Sequence, residues 1–126
     1  MFDHTLKVTD NNWHAYFNRG LAYYGLRNYR QAIEDYNRAI EIKPGYADSY
    51  YNRGVTYTYL GNYKQAIEDY NRAIEIKPGY ADAYNNRGII YLSQGNNERG
   101  CRDAQKACEM GACKGLEVAN TNRLCR

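Results

Sequence analysis

The apolar positions recur at helical spacing, in pairs of short runs. Across residues 47–80, Tyr50, Val55, Tyr57 and Leu60 mark one run, and Ala66, Ile67, Tyr70, Ala73 and Ile74 mark the next at separations of three and four. Those separations place side chains on one face of an α-helix. Gly61-Asn62 divides the two runs. Asn62 with Gln65 three residues on predicts an N-terminal cap for the second helix, as Asn28 with Gln31 does earlier in the chain. Lys77-Pro78-Gly79 predicts that helix's end, since proline disfavours helical geometry in its predecessor and glycine accepts a left-handed turn. Each pair of runs reads as an antiparallel helical hairpin.

The hairpin is repeated. Asn-Arg-Gly occurs at Asn18-Arg19-Gly20, Asn52-Arg53-Gly54 and Asn86-Arg87-Gly88, 34 residues apart each time. Residues 31–46 recur letter for letter as 65–80, and 24 of 34 positions agree between 13–46 and 47–80. Repeats of this length need neighbours to bury their apolar faces, so the fold is a stack rather than a single closed core.

These residues resemble the tetratricopeptide repeat, whose motif sets an aromatic residue and Gly-x2-Tyr in the first helix, then Ala-x3-aromatic, then Pro. Tyr16, Gly20, Tyr23, Ala32, Tyr36 and Pro44 fit it in the first unit, and Tyr50, Gly54, Tyr57, Ala66, Tyr70 and Pro78 in the second. The third keeps Tyr84, Gly88 and Tyr91 but has Gly100, Ala104 and Ala112 where Ala, an aromatic residue and Pro are usual. The resemblance implies an all-α fold, an α-solenoid of three hairpins in a right-handed superhelix with a C-terminal capping helix. The units are then 13–46, 47–80 and a degenerate 81–112. Residues 1–12 read as a partial helix of a preceding repeat, because Phe2, Leu6 and Val8 fall 34 residues before Tyr36, Ile40 and Ile42. Residues 113–126 read as the cap, with Leu116, Val118, Ala119 and Leu124 as its apolar side.

One departure from the motif repeats too. The usual Leu before the motif glycine is Arg19, Arg53 and Arg87, each with an Asp sixteen residues on at Asp35, Asp69 and Asp103, which predicts a repeated ion pair between the two helices of each hairpin. The Glu-Asp pairs at Glu34-Asp35 and Glu68-Asp69 otherwise read as solvated helix faces.

All four cysteines, Cys101, Cys108, Cys113 and Cys125, lie near the C-terminus. A hairpin turning near Gly111 would bring Cys108 to Cys113 and Cys101 to Cys125. This nested pairing is one of three connectivities, and it implies a periplasmic or secreted protein. Four reduced thiols in a cytoplasmic protein, or a zinc site, are the alternatives; no Cys-x2-Cys pair supports the metal.

By resemblance, the first helices line a concave groove for a protein or peptide ligand. The residues facing it would be Phe17, Asn18, Leu21 and Tyr24 with His14 and Gly25; Asp48, Tyr51, Asn52, Val55 and Tyr59 with Thr58; and Asp82, Asn85, Asn86 and Ile89 with Leu92 and Ser93. Asn18, Asn52 and Asn86 form a ladder whose amides can donate to and accept from an extended backbone; solvated residues copied by duplication are the plainer reading. Of fifteen tyrosines, Tyr24, Tyr51 and Tyr59 alone fall on this face rather than at packing positions. Tyrosine supplies rigid, amphipathic contact area.

Family members that grip acidic chaperone C-termini use Lys, Asn and Arg where this chain has Phe17, Leu21, Asn52, Asp82 and Asn86. Only Asn52 fits, and Asp82 would repel carboxylates, so a neutral or locally basic ligand is expected.

Composition narrows the remaining choices. A net charge of +3 without a dense basic patch argues against nucleic acid, and no apolar run approaches the roughly 20 residues of a membrane span. His4 and His14 are the only histidines and have no nucleophile at suggestive spacing, so neither an enzyme nor a cofactor is expected. The rival expectation is a scaffold that self-associates by repeat stacking, as a homo-oligomer through its N-terminal end.

Overall fold

The computed structural model describes residues 12–125. These residues form α1 (Trp13–Gly25), α2 (Tyr29–Ile42), α3 (Ala47–Tyr59), α4 (Tyr63–Ile76), α5 (Ala81–Ser93), α6 (Asn97–Glu109) and α7 (Lys114–Thr121), with no strand among them. None of the helices is long and apolar enough to cross a membrane. The N-terminal partial helix expected over 1–12 lies almost wholly outside the described residues. The chain divides into two compact bodies, one ending at Asp69 and the other beginning at Tyr70.

In the first body, α1 packs antiparallel on α2, and α2 on α3. The core of the hairpin is Tyr16, Phe17, Ala32, Tyr36 and Ala39, edged by Trp13, Tyr23, Tyr24, Ile42 and Tyr46. Alanine at Ala32 and Ala39 lets the helices approach, and Tyr36 fills the space opposite Gly20. A Cβ at Gly20 would lie 2.7 Å from a Tyr36 ring carbon, so the glycine makes room for the ring. The buried Tyr36 hydroxyl has no hydrogen-bond partner, and burial raises its pKa well above the ordinary phenol value.

The turn after α1 is closed by hydrogen bonds from Arg27 N–H to Tyr24 O (2.9 Å) and from Asn28 N–H to Tyr23 O (2.8 Å). That geometry requires the intervening residue to adopt a left-handed conformation. Gly61 and Gly95 do so in the later hairpins, at φ 78° and 82°, whereas the first hairpin forces Arg27 to φ 63°. Gly79, expected to supply such a turn after α4, does not adopt positive φ. Asn28 also differs from expectation: it stands at the N-cap of α2, but its side chain makes no capping bond. Asn96 does cap α6, accepting from Arg99 N–H at 3.4 Å.

In the second body, α5 packs antiparallel on α6, and α7 rests on both. Here the aromatic residue opposite the motif glycine is replaced by Ala104. The helices close until a Cβ on Gly88 would stand 3.0 Å from Gly100 O, and one on Gly100 would stand 3.0 Å from Gly88 O. What reads in sequence as degeneracy is a backbone contact that two glycines permit.

The repeated ion pair is present in each hairpin. Arg19 donates to Asp35 at 2.8 and 2.6 Å, Arg53 to Asp69 at 2.9 and 2.7 Å, and Arg87 to Asp103 at 2.7 and 2.8 Å. The carboxylates are buried, which corrects the view of the Glu-Asp pairs as solvated faces: Glu34 and Glu68 are exposed while Asp35 and Asp69 turn inward. The hydrogen bonds to Asp35 and Asp103 raise the Arg19 and Arg87 pKa values, and burial pushes the Asp69 carboxyl up against the pull of Arg53.

Two of these guanidiniums also reach further. Arg53 donates to Asn37 Oδ1 at 2.8 Å, and Arg87 to Asn71 Oδ1 at 2.6 Å. Arg53 lies 5.7 and 6.0 Å from the Tyr50 and Tyr57 ring centroids, and Arg87 lies 5.4 and 6.0 Å from those of Tyr84 and Tyr91. The spacing Tyr-x2-Arg-x3-Tyr thus brackets a cation between two rings on one helix face. This explains why arginine replaces the motif's leucine in a chain so rich in tyrosine.

Candidate functional site

The faces of α1, α3 and α5 that resemblance assigns to the ligand differ in what they leave open. On α1, Phe17 is 8% exposed. Its ring meets the edge of Tyr46 at 5.2 Å and Tyr36 at 6.0 Å. It belongs to the hairpin core and not to a surface pocket, a correction whose physical reason is that its ring fills the space beside Tyr36 and Tyr46 in the α1–α2 contact. Asn18 is exposed and Leu21 is 37% exposed beside it.

On α3, Tyr51, Asn52 and Val55 are half-buried. The Asn52 Nδ2 donates to Asp48 O at 2.8 Å within the helix, which uses one of the two N–H groups of its amide. Asp48 also shares a hydrogen bond with the Tyr46 hydroxyl; burial first, then this carboxylate, raises the Tyr46 pKa.

At the end of this face three rings converge. Tyr24 lies 5.8 Å from both Tyr59 and Tyr29, and Tyr29 stacks on Tyr59 at 5.6 Å. Burial, followed by a hydrogen bond shared with Tyr59, pushes the Tyr24 phenol up to about 12. Tyr59 stays 63% exposed. Tyr29 was not among the residues singled out from sequence, because its motif place predicts packing alone.

In the second body the α5 face is partly roofed by α7. Asn86 is half-buried, Asp82 is exposed, and Ser93 turns back to donate to Ile90 O at 2.7 Å. Asn85 faces α7 instead of open solvent: its Oδ1 is buried without a partner, and any side chain at Gly115 would run into it. Ile89 is 51% exposed at the edge of a cavity of about 400 Å³. The walls of this cavity are Asn85, Ile89 and Leu92 from α5, Lys114, Gly115, Val118 and Ala119 from α7, and Leu124. Ala119 is the one fully buried side chain of α7.

Disulfides hold both ends of the roof. Cys108 is joined to Cys113, the N-cap of α7, and Cys101 to Cys125 beyond its C-terminus. All four cysteines lie in these two bridges. Of the cavity residues beyond α5, Val118, Ala119 and Leu124 were legible only as the apolar side of a cap, and nothing in the sequence pointed to Lys114 and Gly115; the signal for a wall was the pair of cysteines bracketing that segment.

The comparisons with known proteins agree with this architecture. A tetratricopeptide repeat model matches residues 14–46 and 47–80, and a second model of the same repeat matches 69–102. No curated protein matches the chain significantly. Among solved structures, the crystal structure of MamA is 30% identical with a TM-score of 0.80, over 94% of this chain and 64% of that one, so the chain spans less than two thirds of that protein's length. The Arabidopsis OM64 TPR domain is 26% identical with a TM-score of 0.83, over 89% of this chain and 93% of that one. The first TPR of Spaghetti (RPAP3), bound to the HSP90 peptide SRMEEVD, is 20% identical with a TM-score of 0.81 over 89% of each chain, a likeness of fold. The chain belongs to the tetratricopeptide repeat family, whose all-α fold generally serves protein interaction without catalysis.

Proposed function

We propose that the chain holds an extended segment of another protein against the first helices of its hairpins, taking 13–46, 47–80 and 81–112 as the three units and 113–126 as the cap. The observation that carries this reading is the exposure of Leu21, Tyr59 and Ile89 on those helices. In each case a large apolar side chain is left to water on a face that the fold could have made polar.

In the first body, Asn18 and Asn52 would engage the ligand backbone, with Leu21, Tyr24, Tyr51, Val55 and Tyr59 contacting its side chains; in the second, Asn86 and Ile89 play those parts. The peptide held by the RPAP3 domain is rich in carboxylates. Here Phe17 is core, Leu21 is apolar and Asp82 is anionic, which favours a neutral or locally basic segment. Two disulfides in the cap favour an oxidising compartment.

A peptide-display selection on the immobilised chain tests the reading. Enrichment of short sequences that bind as free synthetic peptides supports it, and failure to recover any binding sequence overturns it. Light scattering on the unliganded chain separates this from self-assembly, since a binding module need not grow in mass with concentration.

A further inference from the structure

We propose that the cavity between α5 and α7 is the seat for one aliphatic side chain of the bound segment, and that a cationic residue beside it in that segment is met by Asp82 and Glu117. This rests on the protein-binding reading above and names the chemistry of the partner.

The cavity has the dimensions of a binding pocket. Its volume of about 400 Å³ falls within the range of roughly 300 to 1,000 Å³ typical of ligand sites. Ile89, Leu92, Val118, Ala119 and Leu124 give it apolar walls, and the only charged group in its lining is Lys114. It opens to solvent between Ile89 and Val118, each 51% exposed, so it is reachable from outside and is not a sealed packing defect.

The way α7 is held explains why the space persists. A short helix that buries a single alanine has little packing energy to draw it down onto α5. Its separation is set at both ends by Cys108–Cys113 and Cys101–Cys125. In the middle, Gly115 brings backbone against Asn85 and acts as the point of contact. The helix is thus propped as a roof, with room for a branched or linear aliphatic group beneath its C-terminal half.

Charge sets the second half of the proposal. A shallower depression adjoins the cavity and is lined by Asp82, Asn85, Lys114 and Glu117 with the turn at residues 111–113. It shares Asn85 and Lys114 with the cavity, and its carboxylates outnumber its single ammonium group by two to one. A segment that seats Leu, Ile or Met under α7 therefore places its neighbouring residue over net negative charge, which Lys or Arg complements.

The experiment uses the oxidised full chain and heptapeptides selected on it from a random library. Fluorescence anisotropy gives their affinities for the parent chain and for I89W, which fills the cavity, V118D, which charges its exposed rim, D82N/E117Q, and N52A. Circular dichroism checks that each variant is folded, and Val118 is exposed enough to change without disturbing a core. The expected result is an aliphatic residue next to Lys or Arg in the selected peptides, at least tenfold weaker binding to I89W and to V118D, and a several-fold loss in D82N/E117Q that shrinks as salt is raised. Peptides that bind I89W and V118D as well as the parent but lose affinity for N52A would overturn the cavity assignment and leave the protein-binding reading standing. Selection of acidic neighbours would overturn the cationic half. Recovery of no binding peptide would remove both.

Discussion

Arg87 grips the carboxylate of Asp103 with two hydrogen bonds of 2.7 and 2.8 Å, joining α5 to α6, while its remaining amino group reaches Asn71 at 2.6 Å. A guanidinium bonded to two helices at once is a clamp between successive elements of the array as well as within a hairpin. The same arrangement around Arg53 joins Asp69 and Asn37. The buried carboxylate depends on it, because an ionised oxygen left unpaired in a low-dielectric site is strongly destabilising.

Replacing Arg87 with Ala is expected to cost about 3 kcal/mol, since it strands Asp103. Replacing both, as R87L/D103L, should cost clearly less, because the apolar pair removes the stranded charge and restores the leucine usual at the first position. Urea denaturation of the two variants checks this; equal losses would mean that the arginine contributes through its ring contacts alone.

Arg27 occupies a left-handed turn that glycine takes in the later hairpins. The substitution R27G is therefore expected to stabilise the first hairpin by about 1 kcal/mol, the cost of holding a side-chain-bearing residue at positive φ. A rise in the urea midpoint with an unchanged slope is the expected reading, and a fall would show that the arginine side chain makes compensating contacts.

Alkali should loosen the first body as its buried tyrosines are driven to ionise. The Tyr24 phenol is raised to about 12, and those of Tyr36 and Tyr46 are raised as well, each chiefly by burial. A folded-state pKa above the unfolded value of about 10 stabilises the fold fully below that value, and the contribution is lost as pH climbs towards the folded-state value. A near-ultraviolet titration should thus show some tyrosines ionising only with unfolding, and Y24F should weaken that coupling. Ionisation of every tyrosine near its ordinary value with the helices intact would contradict the account.

Much of the helical scaffold was readable in the sequence because it is written in local terms. The 34-residue spacing, the Tyr-Gly-Tyr pattern and the Arg–Asp separation of sixteen each survive translation into α1–α6. Non-local consequences were harder to see. Nothing in the spacing alone says that Asn37 and Asn71 will be drawn to the next arginine, that Phe17 will be taken by Tyr36 and Tyr46, or that Gly88 and Gly100 will meet backbone to backbone. The face proposed for the ligand was legible in outline, along α1, α3 and α5. Its cavity was not, because it depends on where two disulfides hold a helix that follows the last repeat.

Those disulfides should matter unequally to stability. Cys101–Cys125 spans 24 residues and Cys108–Cys113 spans 5. In the chain-entropy view, the long closure is worth about 3.5 kcal/mol and the short one about 2. C101S/C125S should accordingly lower the thermal midpoint more than C108S/C113S; the reverse order would mean that the short bridge holds the start of α7 in a way the loop length does not capture.

The proposal that the first-helix face holds a ligand stands or falls on Asn52 and Tyr51. The most direct measurement is calorimetric titration of a peptide selected on the parent chain into that chain, N52A and N52A/Y51A. A desolvated amide bond to the ligand predicts a loss of about 1 to 3 kcal/mol for N52A, a larger loss for the double variant, and thermal midpoints close to the parent's. Affinities that do not change in either variant would contradict it.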